Sequence, residues 1–336
     1  TPALLYYLGI SLSVYIKACK LGDEKMKKEL LPQFHHAYVN LMVFLIPLVL
    51  LVTLMIMGES PQKALSLAIL GLAVVGLLQQ FIIREANPIR SFAKKFVAGL
   101  ENGGRTVASI AVVMACMGVV VQMMTATGLS SKISQFALSI AGDNLIILAL
   151  VVALTCTLFG MGMPSASAYI LAALLGAPAL VSFGVPLVVA HFFVFYFAEM
   201  SALTPPVAIG CLVASGLANA KFLKTCVIAL RLAIMGFVLP FLFLYRPALL
   251  LQGTAFEWFW AVLMVVCFLF CFIIVCEKYF RIQTTLAERI AAGVGALCCI
   301  IPVYVMDFIG LALFLFLIVS QQRRVKREGL ASRSQA

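Results

Sequence analysis

An apolar run from residue 143 to residue 176 is broken in its middle by Gly160-Met161-Gly162-Met163-Pro164, and hydroxyls follow at Ser165 and Ser167. A helix that stops inside hydrocarbon frees amides and carbonyls that lipid cannot satisfy. Such a break survives only where protein or a polar cavity encloses it. Ser201-Ala202-Leu203-Thr204-Pro205-Pro206 repeats the device about forty residues further on. Two interruptions so close together predict an ion or solute site inside an all-α polytopic membrane protein.

Composition agrees. The 336 residues are 64% hydrophobic and 11% charged, with a mean hydropathy of +1.12, against about 25% charged in soluble domains. The net charge of +11 does not indicate nucleic acid, because the Lys and Arg residues sit in short loops and at the C-terminus, not in a stripe interleaved with aromatics. Ten cysteines are scattered through apolar runs without CxxC or Cys/His spacing, so they read as small buried hydrophobes. The opening Thr1-Pro2-Ala3-Leu4-Leu5 lacks a basic n-region and lies already in an apolar stretch. It reads as the interior of a longer polypeptide, not a signal peptide.

Runs long enough to cross a bilayer, about 20 residues each, fall at 2–18, 39–57, 64–83, 105–127, 185–219 (interrupted), 225–245, 257–276, 285–303 and 304–320. The break divides 143–176 into parts of about 17 and 12 residues. The second is short for a span, so a re-entrant hairpin is expected. Basic segments at Lys17–Lys28, Arg84–Arg105, Lys221/Lys224, Lys278–Arg289 and Arg323–Arg327 all lie inside only if the hairpin contributes no net crossing and 185–219 counts as one. The 58–63, 128–142, 177–184 and 246–256 loops are then outside and the C-terminus is cytoplasmic. Lys63, Lys132 and Arg246 dissent as isolated charges. Residues 84–104, with Arg84, Glu85, Arg90, Lys94 and Lys95 against Ile89, Phe92, Phe96, Val97 and Leu100, read as an interfacial arm helix or a solvated loop. The last ten residues are polar and expected to be disordered.

At the first break Gly160 and Gly162 permit close approach and positive φ, and Pro164 suits a helix start. Carbonyls there, with the hydroxyls of Thr155, Thr157, Ser165 and Ser167, would offer oxygens to a hard monovalent cation, while the following amides favour an anionic group. At the second break Pro205 and Pro206 lack donors. Carbonyls near Ala202 and Leu203 would join the hydroxyls of Ser201 and Thr204. Plain turns or kinks without a ligand are the competing reading of both. Glu199 is an intramembrane acid, costly and a functional candidate by default, to carry a proton, orient the broken helix or pair with a basic residue elsewhere. His191 reads as a packing or interface residue, Asp307 as exposed in a tight turn, and Arg231 as reaching back to cytoplasmic headgroups. GxSxG, HExxH, P-loop and GxGxxG patterns are missing, so no catalytic residues and no organic cofactor are expected. His191 and Glu199 are about 12 Å apart in helix rise, too far to pair as base and acid.

Gly160-Met-Gly-Met-Pro-Ser-Ala-Ser-Ala-Tyr-Ile170, His191-Phe-Phe-Val-Phe-Tyr-Phe197, Leu203-Thr-Pro-Pro-Val-Ala208, Ala214-Ser-Gly-Leu-Ala218 and Arg246-Pro-Ala-Leu-Leu250 together resemble the large permease subunit of tripartite ATP-independent periplasmic (TRAP) transporters, nearest to the form fused with the small subunit. Pro2-Ala-Leu-Leu-Tyr-Tyr7 resembles the end of that family's first inverted repeat. The similarity covers residues 1 to about 250.

The resemblance implies a sodium-driven elevator of the bacterial inner membrane, importing small organic acids handed over by a periplasmic substrate-binding protein. In that frame residues 1–104 hold the end of the first repeat, scaffold helices and arm helix. Residues 105–250 form the second repeat, with its hairpin (143–176) and broken helix (185–219). Residues 251–320 add a three-helix extension and 321–336 a basic cytoplasmic tail. The first repeat's hairpin and broken helix, and the small membrane subunit, are expected before Thr1, and with them half of the site. The alternative is a non-transporting scaffold or assembly subunit whose breaks are mere kinks.

Overall fold

The computed structural model describes residues 1–21, 34–83, 87–280 and 282–334. The chain divides into two compact units, one of residues 24–112 and one of residues 1–23 with 113–336. Among the described residues the regular structure is helical, and seven helices are long and apolar enough to cross a membrane. The protein is therefore an all-α, multi-pass membrane protein. Arg84, Glu85 and most of the Lys17–Lys28 segment lie outside the described residues. The first helix, α1 (Pro2–Leu21), belongs to the larger unit.

In the smaller unit α2 (Phe34–Ile56) and α3 (Pro61–Ile82) form a helical hairpin. Ser60 caps α3 by accepting from the Lys63 amide at 3.4 Å, and Pro61 occupies the first turn, where its missing donor costs nothing. The charged segment and the 105–127 span are one helix, α4 (Pro88–Ala126), with no interruption at Gly103-Gly104. Its 39 residues rise about 58 Å, well beyond a hydrocarbon core of about 30 Å. Its first turns meet the end of α3 through Gln80, whose side-chain oxygen accepts from Lys95 Nζ at 2.8 Å and Ser91 Oγ at 3.3 Å.

In the larger unit the 128–142 segment is largely helix, not loop: α5 (Leu129–Ala141) buries Ser134, Ala137 and Ala141 against the following pair. Asn144 then starts α6 (Leu145–Gly160) by accepting from the Ile146 and Ile147 amides. After the four-residue tip comes α7 (Ser165–Ser182). The pair is antiparallel: the Cys156 thiol faces the Ala172 carbonyl at 3.7 Å, and Gly176 lets Val152 and Cys156 approach within 2.7 and 2.9 Å of where a Cβ would stand. The second arm has 18 residues, not about 12, because the helix continues through Pro178. Proline frees the carbonyl four residues back, and the Ser130 hydroxyl of α5 donates to it at Leu174, with Ser134 Oγ reaching the Leu175 carbonyl at 3.4 Å. A neighbouring helix thus satisfies what the proline left open.

The interrupted segment is α8 (Leu187–Met200), a 3-10 turn at Ser201–Leu203, an irregular stretch, and α9 (Ile209–Leu217). Then α10 (Phe222–Leu232) and α11 (Ile234–Tyr245) follow with one residue between them. Phe193 and Phe197 of α8 pack edge-on to Phe241 of α11 or tilted against each other, at 4.9 to 5.8 Å between rings. Gly236 brings α11 against Met200 and Tyr6.

The C-terminal part is α12 (Ala255–Glu277), α13 (Leu286–Ile300) and α14 (Tyr304–Ser334), with α12 packed on α1. Thr254 with Glu257 and Thr285 with Glu288 make capping boxes at the starts of α12 and α13, each satisfying two orphan amides. The end of the chain, expected to be disordered, continues α14 as helix to Ser334. Its Gln, Arg, Lys, Glu and Ala residues are strong helix formers, and polarity alone does not unwind a helix already nucleated in the membrane.

Candidate functional site

The hairpin tip and the break in the second helix come together. Gly160 ends α6 directly against α8: a Cβ there would stand 2.8 Å from Ser201 Oγ and 3.2 Å from the Ala198 carbonyl oxygen. Gly162 turns the tip at φ +78°, with Val207 Cγ1 3.4 Å from the position of its absent Cβ. Pro164 caps α7, and the next residue, Ser165, donates from Oγ to Glu199 Oε2 at 2.9 Å. The other carboxyl oxygen of Glu199, Oε1, is buried and has no hydrogen-bond partner.

The hydroxyls of the break turn inward. Ser201 Oγ donates to the Ala198 carbonyl at 2.5 Å, and Thr204 Oγ1 to the Met200 carbonyl at 3.0 Å. A hydroxyl whose proton is committed in this way presents only lone pairs elsewhere. Thr204 N donates to Ser201 O at 3.1 Å, and the Thr204 carbonyl accepts from Ala208 N at 3.2 Å. The Leu203 carbonyl is not free as the double proline implies, since the Cys211 thiol reaches it at 3.7 Å. The Ala202 carbonyl faces Gly210, 3.5 Å from the position of its absent Cβ. Pro205 and Pro206 are joined by a cis peptide.

The other three hydroxyls singled out in the sequence sit within the two hairpin helices. Ser167 is fully buried on α7, its Oγ 3.1 Å from Met114 Sδ of α4. Thr157 is buried in α6, and Thr155 donates back to the Val151 carbonyl at 2.8 Å. The tip and break therefore gather Gly160, Gly162, Ser165, Glu199, Ser201 and Thr204. Higher up, Tyr169 Oη and His191 Nδ1 are 2.9 Å apart, tying the second hairpin arm to α8.

Two charge clusters escaped the reading of the sequence. Asp307, expected to be exposed, is 2% exposed and pairs with Arg246, itself 7% exposed. Arg246 Nη1 reaches Asp307 Oδ2 at 3.2 Å, Nη2 meets Oδ1 and also the Ile301 carbonyl at 3.0 Å, and Trp260 Nε1 donates to Oδ2 at 2.7 Å. Arg246, read as an isolated charge, thus has its counter-ion in Asp307. Arg231, half exposed, has partners of its own at the end of α12. It lies 3.5 Å from Glu277 Oε1 and donates to the Cys276 carbonyl at 3.1 Å, while Lys20 Nζ donates to the Glu277 carbonyl at 2.7 Å. The end of α12 concentrates partial negative charge that favours both cations.

Many apolar spans around two helix interruptions that meet over an acid and converging hydroxyls define a polytopic membrane transport protein. The model of a known family, the DctM component of the tripartite ATP-independent periplasmic transporters, matches residues 1–258. The chain belongs to that family and is a TRAP permease, in a family of transporters and not enzymes. No curated protein and no solved structure matches it. Membership implies a periplasmic binding protein and a small membrane subunit as partners.

Proposed function

We infer that this chain is the permease portion of a sodium-coupled importer of small organic acids, working by elevator alternating access in a bacterial inner membrane with its C-terminus in the cytoplasm. A periplasmic binding protein supplies the acid. The tip and break form this chain's share of the sodium and substrate site.

The observation that carries the reading is Glu199. One of its oxygens is held by Ser165 across the tip–break contact, and the other is buried without a partner. An ionised carboxyl oxygen in that position is costly unless a cation offsets it. Ser165, Ser201 and Thr204 all donate to protein acceptors, so their free lone pairs suit a hard monovalent ion. Amides at the start of α7 suit the acid's carboxylate.

The test uses the permease assembled with its small subunit in proteoliposomes. Uptake of a carboxylate presented on the binding protein should require sodium, with choline inactive as a replacement. Ser165→Ala combined with Thr204→Ala should raise the sodium concentration needed for half-maximal uptake by about tenfold or more, two hydrogen-bonding oxygens being removed, while membrane insertion is kept. Unchanged sodium affinity would defeat the assignment. A cysteine placed near Ser334 should resist labelling by an impermeant reagent from the periplasm.

A further inference from the structure

The contact between tip and break is one end of a longer groove between α7 and α8. Ser165 meets Glu199 at 2.9 Å. Four residues away from the tip on each helix, about 6 Å of rise, the Tyr169 ring stands edge-on to Phe195 with 5.6 Å between centroids. One more turn along α8, His191 Nδ1 lies 2.9 Å from Tyr169 Oη. Tyr169, His191, Phe192 and Phe195 wall a cleft of about 250 Å³ in this groove. The cation reading of the tip uses none of these four residues.

His191 has one ring nitrogen to spare. Nδ1 is taken by Tyr169, whereas Nε2 has no hydrogen-bond partner among the described residues and, unlike Glu199 Oε1, is not closed off from the surface. With the Tyr169 hydroxyl donating to Nδ1, the neutral imidazole carries its proton on Nε2 and presents a donor to the cleft. An open polar group facing hydrocarbon is costly, so this side of the groove is built for something other than lipid tails. The rest of the wall is aromatic. Phe192 and Phe195 are 40% and 39% exposed, and exposed rings receive another ring edge-on or offset. Among the described residues no Lys or Arg lines the cleft, so nothing in it suits a second carboxylate.

We propose that this groove makes the permease selective for aryl carboxylates carrying a hydroxyl at the far end of the ring. The carboxylate sits by the first amides of α7, the ring lies against Tyr169, Phe192 and Phe195, and the hydroxyl oxygen accepts from His191 Nε2. The inference rests on the tip and break being a substrate site and adds the class of acid. The reach is suitable: His191 stands eight residues from Glu199, about 12 Å of helix rise, room for a carboxylate, a short chain and one ring.

Equilibrium binding to the permease assembled with its small subunit in detergent tests this, without the periplasmic binding protein and in sodium or choline. The probes are para-hydroxyphenylpropanoate, phenylpropanoate, hexanoate and succinate. The hydroxylated aryl acid should bind tightest, phenylpropanoate about threefold to tenfold more weakly for want of one neutral hydrogen bond, and succinate weakest. His191→Phe keeps a ring in the space without the donor and should erase the difference between the two aryl acids. His191→Gln, whose amide carries an N–H about where Nε2 stood, should retain most of it; a histidine that only packs would shift both acids together and leave their ratio alone. Succinate or hexanoate bound as tightly as the aryl acids, or an aryl ratio that survives His191→Phe, overturns the proposal while leaving sodium coupling standing. Aryl preference that is the same in choline as in sodium supports the groove and counts against sodium coupling instead. Binding of none of the four acids also overturns the proposal, and sodium-dependent thermal stabilisation then decides the wider reading by itself.

Discussion

Gly160 shows how much one missing methyl group decides. Alanine there would place a carbon 2.8 Å from Ser201 Oγ and 3.2 Å from a backbone oxygen of α8, and backbone gives way less readily than a flexible side-chain end. We predict that Gly160→Ala costs about 1–3 kcal/mol of stability and abolishes uptake while leaving insertion intact; wild-type uptake would show that the tip need not touch α8. Glu199→Gln keeps an oxygen for Ser165 and removes the charge. It is expected to eliminate sodium-dependent thermal stabilisation, and a variant that still responds to sodium over choline would exonerate the carboxylate. At this scale the sequence was informative. Gly160, Ser165, Glu199 and Thr204 stand out because Gly, Pro, hydroxyl and acid residues are costly in hydrocarbon wherever they occur. It could not say that Ser167 would be buried beside Met114, since Ser165 and Ser167 look alike until the helix phase is fixed.

The second hairpin arm shows how elements correct each other. A proline near the end of an apolar run predicts a stop, yet α7 passes through Pro178 because Ser130 on another helix donates to the Leu174 carbonyl that proline releases. Ser130→Ala should leave that carbonyl unpaired at a cost of about 1–3 kcal/mol. Adding Pro178→Ala, which restores the backbone donor, should recover most of it. A thermal-unfolding cycle in detergent measures both, and additive effects would break the argument. Most of the spans were legible because hydrophobic length is a local property, although the run at 285–303 forms only a 15-residue helix, α13, short for a span. The length of α7, the helicity of 129–141 and the persistence of α14 were not, because each depends on what a distant segment supplies.

Across the whole molecule, polar contacts fasten the C-terminal helices where apolar packing has little leverage. Between membrane helices lipid competes evenly with Leu or Phe, so Lys20 and Arg231 at the Glu277 end of α12, and Arg246 with Asp307 and Trp260 near its start, supply the register. Asp307→Asn should destabilise by about 3–5 kcal/mol by leaving a buried guanidinium uncompensated, and Arg246→Met in the same chain should recover much of that loss; unfolding in detergent decides the matter. None of these pairings could be read from the sequence, because partners 45 to 257 residues apart share no local pattern. Arg246 leaves the ribosome 61 residues before Asp307. Until α14 has been made and inserted, the nascent permease carries Arg246 without its carboxylate at the end of α11, so this junction cannot close before α14 has been threaded home.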